Sequence, residues 1–131
     1  MTTVIFACVH NAGRSQMAAA FFNRLVRPTA ARAISAGTRP AEHVHPEVLE
    51  VMREVGIDLG AASPRLLTPE LAASAQILIT MGCGETCPVV PGLRRVDWAL
   101  PDPKGQSPAR VREIRDSIRD RVLDFARSEG W

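Results

Sequence analysis

An arginine stands six positions after the first cysteine of the chain, in Cys8-Val-His-Asn-Ala-Gly-Arg14-Ser15. A thiol and a guanidinium at this spacing can share one bound anion, the thiolate as nucleophile and the planar fork holding two of the anion's oxygens. Lysine, a point charge, would not hold them in the same way. The backbone N–H groups of Val9, His10, Asn11, Ala12, Gly13, Arg14 and Ser15 form the candidate oxyanion seat. Gly13 is expected to supply a positive φ, Asn11 to tie the loop's own backbone through its amide, and Ser15 to donate a hydrogen bond to the sulfur. His10 is read as loop packing or hydrogen bonding, since a thiolate needs no base. No Gly-Lys-Ser/Thr follows a glycine-rich turn, which excludes a Walker phosphate loop.

The flanking residues place this loop between a strand and a helix. Val4 to Ala7 form an apolar run that ends on Cys8, while Met17, Ala18, Phe21, Phe22, Leu25 and Val26 recur at helical spacing, so a helix starts at Gly13 to Ser15. Its first turn adds unpaired N–H donors and a positive dipole end, which favour a bound oxyanion and favour thiolate over thiol. The competing reading makes Cys8 a buried structural thiol and Arg14 a charge at a helix start. An arginine there is electrostatically unfavourable unless an anion is nearby.

Farther along, Arg32 to Ala36 read as a second strand closed by Gly37, and a helix opens at His45-Pro46 and ends at Gly56. Residues 57–67 look irregular, and Thr68-Pro69-Glu70 caps a short helix reaching Ser74. Gln76 to Thr80 form a third strand and Arg94 to Trp98 a fourth. A long amphipathic helix then runs from Ala109 to Ser128, its charges read as a solvated surface. The alternation predicts one α/β domain over residues 1–131, a three-layer arrangement with a four-stranded parallel sheet and helices on both faces. Ligands of such sheets bind beyond the carboxyl ends of the strands, and Cys8, Cys83 and Asp102 all follow strands at that edge.

With 131 residues, 46% hydrophobic and 23% charged, the chain can bury a core of its own. Its net charge of +2 and lack of a long basic block argue against nucleic acid. No apolar run is long enough for a membrane span and no leader pattern opens the chain, so a cytoplasmic protein is expected. Three cysteines in such a compartment point to redox, metal or nucleophile chemistry rather than a disulfide scaffold.

Two of them form a second constellation, Cys83-Gly-Glu-Thr-Cys87. Redox use, a metal site and inert core thiols are all open to this pair. The absence of a second paired motif weighs against the metal, and Gly84 and Pro88 suggest a segment that opens cheaply. Asp102-Pro103 taken alone reads as a turn, yet beside a thiolate site Asp102 is placed to protonate a leaving oxygen, with Trp98 or Leu100 as an apolar wall. His43 and His45 are spaced for a metal but lack a clear third ligand, and both read as surface residues.

These residues resemble the low-molecular-weight protein tyrosine phosphatase fold family and, within it, the bacterial thiol-linked arsenate reductases. The likeness covers nearly the whole chain: Cys8-x5-Arg14-Ser15-Gln16-Met17-Ala18, Ser35-Ala-Gly-Thr38, Val44-His-Pro46 through Leu59, Thr80 to Cys83, and Trp98 through Pro103. The resemblance implies arsenate reduction by successive thiol attack. Cys8 would attack arsenic, with Arg14 and the loop amides holding the oxyanion and Asp102 protonating the departing hydroxyl. Cys83 would then attack Cys8 and Cys87 would resolve the bond, leaving Cys83–Cys87 for an external dithiol. It implies no tightly bound cofactor and a monomer reduced by thioredoxin, or by glutaredoxin with a low-molecular-weight thiol.

Two departures stand out. Ala19 replaces the glutamate of relatives that hold potassium beside the loop, so no such site is expected, and Cys83 and Cys87 are closer in sequence than in thioredoxin-linked members. The alternative enzyme is a phosphotyrosine phosphatase working through a phosphocysteine at Cys8. It leaves the cysteine pair idle and finds Pro103-Lys104 where phosphatase relatives place aromatic residues. A third reading, a non-catalytic redox or anion sensor, predicts binding without multiple turnovers.

Overall fold

Alternation along the first strand decides which way the thiol points. In β1 (Thr2–Cys8), Val4, Phe6 and Cys8 share one face and Ile5 and Ala7 the other. The first face packs against Met17, Ala18, Phe21 and Phe22 of α1 (Arg14–Leu25), together with apolar residues of α2 (Pro46–Glu54) and α4 (Pro108–Ser128). The second face meets a smaller cluster that includes Leu67 and Ala72, the latter from α3 (Pro69–Ala73). Cys8 therefore turns toward the helix that follows it. The computed structural model in which this is seen describes residues 1–82 and 91–131.

The remaining strands are β2 (Ala31–Gly37), β3 (Ile77–Thr80) and β4 (Arg94–Asp97). They pair in the order β2-β1-β3-β4, all parallel, with Cys8 opposite Gly37, Ala7 opposite Thr80 and Thr80 opposite Asp97. Strand ends are thus aligned at one edge, the edge where the alternating pattern placed the chemistry. Three helices cover one face and the short α3 the other, as expected from sequence. An aromatic chain ties the larger layer together: Phe6 lies 5.9 Å from Phe22 and 5.7 Å from Trp98, and Trp98 lies 6.2 Å from Phe125. Burying one such ring contributes about 1.5–3 kcal/mol.

Local chemistry sets the helix limits. The Thr68 hydroxyl accepts from Leu71 N–H at 3.0 Å and the Ser107 hydroxyl from Arg110 N–H at 3.2 Å, each just before a proline at the first helical position. The long helix accordingly begins at Pro108. Gly56, at φ +81°, ends α2. One expectation about α4 fails: Arg115 is not on a solvated face. It is 8% exposed and donates to Val51 O at 2.9 Å, Glu54 Oε1 at 2.7 Å and Asp116 Oδ1 at 2.8 Å, pinning α4 to α2. Spacing alone does not separate a charge on the outer face from one at the helix–helix seam. Among the described residues, no helix is long and apolar enough to cross a membrane.

Candidate active site

The loop from Cys8 to Arg14 is held from outside by its carbonyl oxygens. Cys8 O accepts from Thr38 N–H, Val9 O from Arg39, His10 O from Ala41, Ala12 O from His45 and Gly13 O from Met17, at 2.8–3.3 Å. Asn11 O accepts from Gln16 Nε2 at 3.0 Å. With the carbonyls taken up in this way, none of the amides of His10 to Gly13 finds an acceptor among the described residues. Several unpaired N–H groups at the start of a helix form a seat for an oxyanion. Gly37 permits the clamp, since a Cβ there would lie 2.6 Å from Val9 O and 2.9 Å from Asn11 N.

Within the loop, Asn11 rather than Gly13 adopts the left-handed conformation, at φ 50°. Asparagine tolerates this region because its short side chain can bond locally. The expectation of a positive φ at Gly13 is thereby corrected: its φ is −140°. Gly13 is needed for space, because a Cβ would stand 2.9 Å from Pro103 Cγ and 3.5 Å from His45 Cδ2. The Asn11 amide also does something other than tie the loop to itself. Its Oδ1 accepts from Arg65 N–H at 2.9 Å and from Gln16 Nε2 at 3.3 Å, which directs Nδ2 to the Ser15 hydroxyl at 2.7 Å. Having accepted that hydrogen bond, the Ser15 hydroxyl is free to donate its own to Cys8 Sγ, 2.8 Å away.

Arg14 lies over this thiol, 8% exposed. Its Nη1 donates to Leu100 O at 3.1 Å and its Nη2 is 3.9 Å from Asp102 Oδ2. Gly82, at φ +106°, makes room for it: a Cβ there would fall 2.3 Å from Nη1. Asp102 makes the turn weighed for it and also reaches the pocket. One carboxylate oxygen accepts from Lys104 N–H at 3.0 Å, closing a turn, and the other faces Arg14. Trp98 is packed against Phe6 and Phe125, and the Asp102 side chain is 46% exposed beside Arg14.

Cys8, Ala12, Gly13, Arg14 and Asp102 line one pocket with His10 and His45, and its free volume of about 10 Å³ is room for roughly one water. His10 Nδ1 bonds Arg39 O at 3.1 Å, the loop hydrogen bond anticipated. His45 corrects the surface reading: it is half-buried at the pocket, and burial, partly opposed by Glu47 and Asp102, holds its imidazole below the ordinary histidine range. The signal available in sequence was its place before Pro46, where an N-cap residue such as Asn or Ser is favoured. His43 is exposed, and no metal-binding cluster of three or more ligands occurs among the described residues. Cys83 and Cys87 lie outside the described residues.

Comparison with known proteins places this geometry in a lineage. A Halobacterium salinarum protein provisionally named an arsenate reductase is 45% identical over 124 residues, covering 92% of this chain and 87% of that one. Among solved structures, a thioredoxin-dependent arsenate reductase of Corynebacterium glutamicum matches with a TM-score of 0.84 at 38% identity. The match takes in 98% of this chain, which spans 61% of that one. An arsenate reductase in a phosphate-binding state matches with a TM-score of 0.83 at 30% identity, over 98% of both chains. A family model, described as low molecular weight phosphotyrosine protein phosphatase, matches residues 3–129, and with nearly the whole sequence covered the chain belongs to that family.

Proposed function

We propose that this enzyme is an arsenate reductase in which three cysteines act in turn. The observation that carries the reading is the oriented chain Asn11 Nδ2 to Ser15 Oγ to Cys8 Sγ beneath Arg14, which suits a thiolate facing a tetrahedral oxyanion. The named relatives support arsenate as that oxyanion. In the first step Cys8 Sγ bonds to arsenic(V) and a hydroxyl leaves as water, its proton supplied by Asp102. Arg14 and the loop amides neutralise charge on the remaining oxygens. The Cys83 thiolate then attacks Cys8 Sγ. An S–S bond forms, the S–As pair returns to arsenic, and arsenite departs with arsenic reduced by two electrons. Attack of Cys87 on Cys83 frees Cys8 and leaves Cys83–Cys87, which an external dithiol such as thioredoxin reduces, restoring both thiols. Gly82, the residue before Cys83 in the sequence, packs on Arg14, which favours Cys83 as the second thiol.

The test is one equivalent of arsenate added to reduced protein without external reductant, followed by arsenite assay and disulfide mapping. Arsenite with Cys83–Cys87 in the wild type, and Cys8–Cys83 in Cys87→Ser, is the expected result. The family description favours a second reading, a phosphatase forming phosphocysteine at Cys8. Phosphatase turnover untouched by Cys83→Ser, with no arsenite from arsenate, would establish that reading instead.

A further inference from the structure

The pocket over Cys8 lacks positive charge for what it has to hold. A thiolate and a dianionic oxyanion bring about three negative charges, against which stand one from Arg14 and about half a charge from the start of α1. Lys104 is exposed and screened by solvent. Two imidazoles line the same pocket, and they differ. The His10 ring is already tied to Arg39 O through Nδ1. Among the described residues the His45 ring makes no hydrogen bond, and it does not cap α2, although its residue occupies the N-cap position. Its backbone is fixed instead, with N–H donating to Ala12 O at 2.9 Å and Cδ2 lying 3.5 Å from where a Gly13 Cβ would be.

We infer that His45 is an oxyanion-binding residue, its imidazole meeting the bound anion in the pocket it lines together with Arg14 and setting the affinity for it. The inference rests on the oxyanion-binding half of the proposed function and is independent of arsenic reduction. Groups facing the ring are Glu47 of its own helix, Asp102 and Lys104 of the loop before α4, and His10 of the anion loop. In the free protein burial keeps the ring neutral near pH 7. A dianion in the pocket opposes that effect and draws a proton onto the ring, so anion binding takes up a proton. The contribution of His45 is therefore greatest at low pH and is lost as pH rises through the ring's value in the complex.

Inorganic phosphate is the probe. The Kd is read from the phosphate concentration that halves alkylation of Cys8 by iodoacetamide, followed by peptide mass, so that any change in the bare alkylation rate cancels. His45→Asn removes the titrating ring while placing a favoured N-cap residue, which protects the fold. At pH 6 the variant should bind phosphate about tenfold more weakly than the wild type, the scale of one charge-assisted hydrogen bond. By pH 8.5 the two should agree within about twofold. Equal Kd values at pH 6, or the same ratio at both pH values, would overturn the inference. Failure of phosphate to protect the wild-type thiol at all would overturn both His45 and the oxyanion loop, whatever arsenate does. Protection without arsenite production would remove the reductase reading alone.

Discussion

Two arginines are equally buried, at 8% exposure each, and the fold treats them in opposite ways. Arg115 has three close partners: one backbone carbonyl and two carboxylates accept from it, all within 2.9 Å. Arg14 has one carbonyl at 3.1 Å and a carboxylate at 3.9 Å, beyond hydrogen-bond distance. Charge taken from water is costly unless partnered, so a guanidinium that leaves most of its donors unused among the described residues is arranged for a partner that comes and goes. Its surroundings agree. Loop amides beside it are also without acceptors among the described residues, and a glycine is placed where any side chain would collide with it. Close pairing holds two helices together at one site, and sparse pairing leaves room for an anion at the other.

The largest expected contrast comes from exchanging each arginine. Arg14→Lys keeps a charge but loses the fork, and arsenate turnover should fall about 100- to 1,000-fold, the scale seen when an oxyanion donor is removed. Its stability should change little, by about 1 kcal/mol at most, since only Leu100 O loses a donor. Arg115→Met should do the reverse. Turnover should stay within about twofold, while unfolding free energy from urea titration drops by roughly 2 kcal/mol, because Val51 O loses its side-chain donor and Glu54 one of its two arginines. If Arg14→Lys destabilised the protein as much as Arg115→Met, the distinction between the two sites would fail.

Much of this was legible in the sequence, and the limits are physical. Cys8, Arg14 and Ser15 were readable because one short stretch carries strand, loop and helix start, whose geometry follows from local pattern. The sheet, its parallel pairing and the helix caps at Thr68 and Pro46 follow from the same kind of signal. What was misread depends on residues far apart in sequence. Arg65 N–H aims the Asn11 amide across 54 positions, Pro103 and not a positive φ explains Gly13, and His45 reaches the pocket only because its N–H is pinned to Ala12 O. Arg115 looked like any other charge on α4 until α2 was packed against it. Periodicity reports which face is apolar, and it does not report which polar side chains at the border are enclosed.

Glu54 gives the finest test of the paired region. It accepts from Arg112 and Arg115, and the hydrogen bond from Arg112, followed by that from Arg115, holds its carboxyl down to about 2 from an ordinary 4.5. A carboxylate lowered on folding stabilises the native state fully above its unfolded value, and that contribution is lost as pH falls toward its folded value. Stability carried by this cluster should therefore decline from about pH 4.5 down to pH 2. Glu54→Gln cannot ionise, so its urea midpoint should already be lower at pH 7 and should fall less steeply between pH 5 and pH 3. Because Glu54 is partly exposed, the shift should be smaller than that of Arg115→Met. Arg14→Lys leaves the Glu54 cluster intact and should keep its contribution to the slope. Parallel pH curves for Glu54→Gln and the wild type would mean that Arg115 is held by Val51 O and packing alone, and the contrast between the two arginines would then rest on hydrogen bonding without charge.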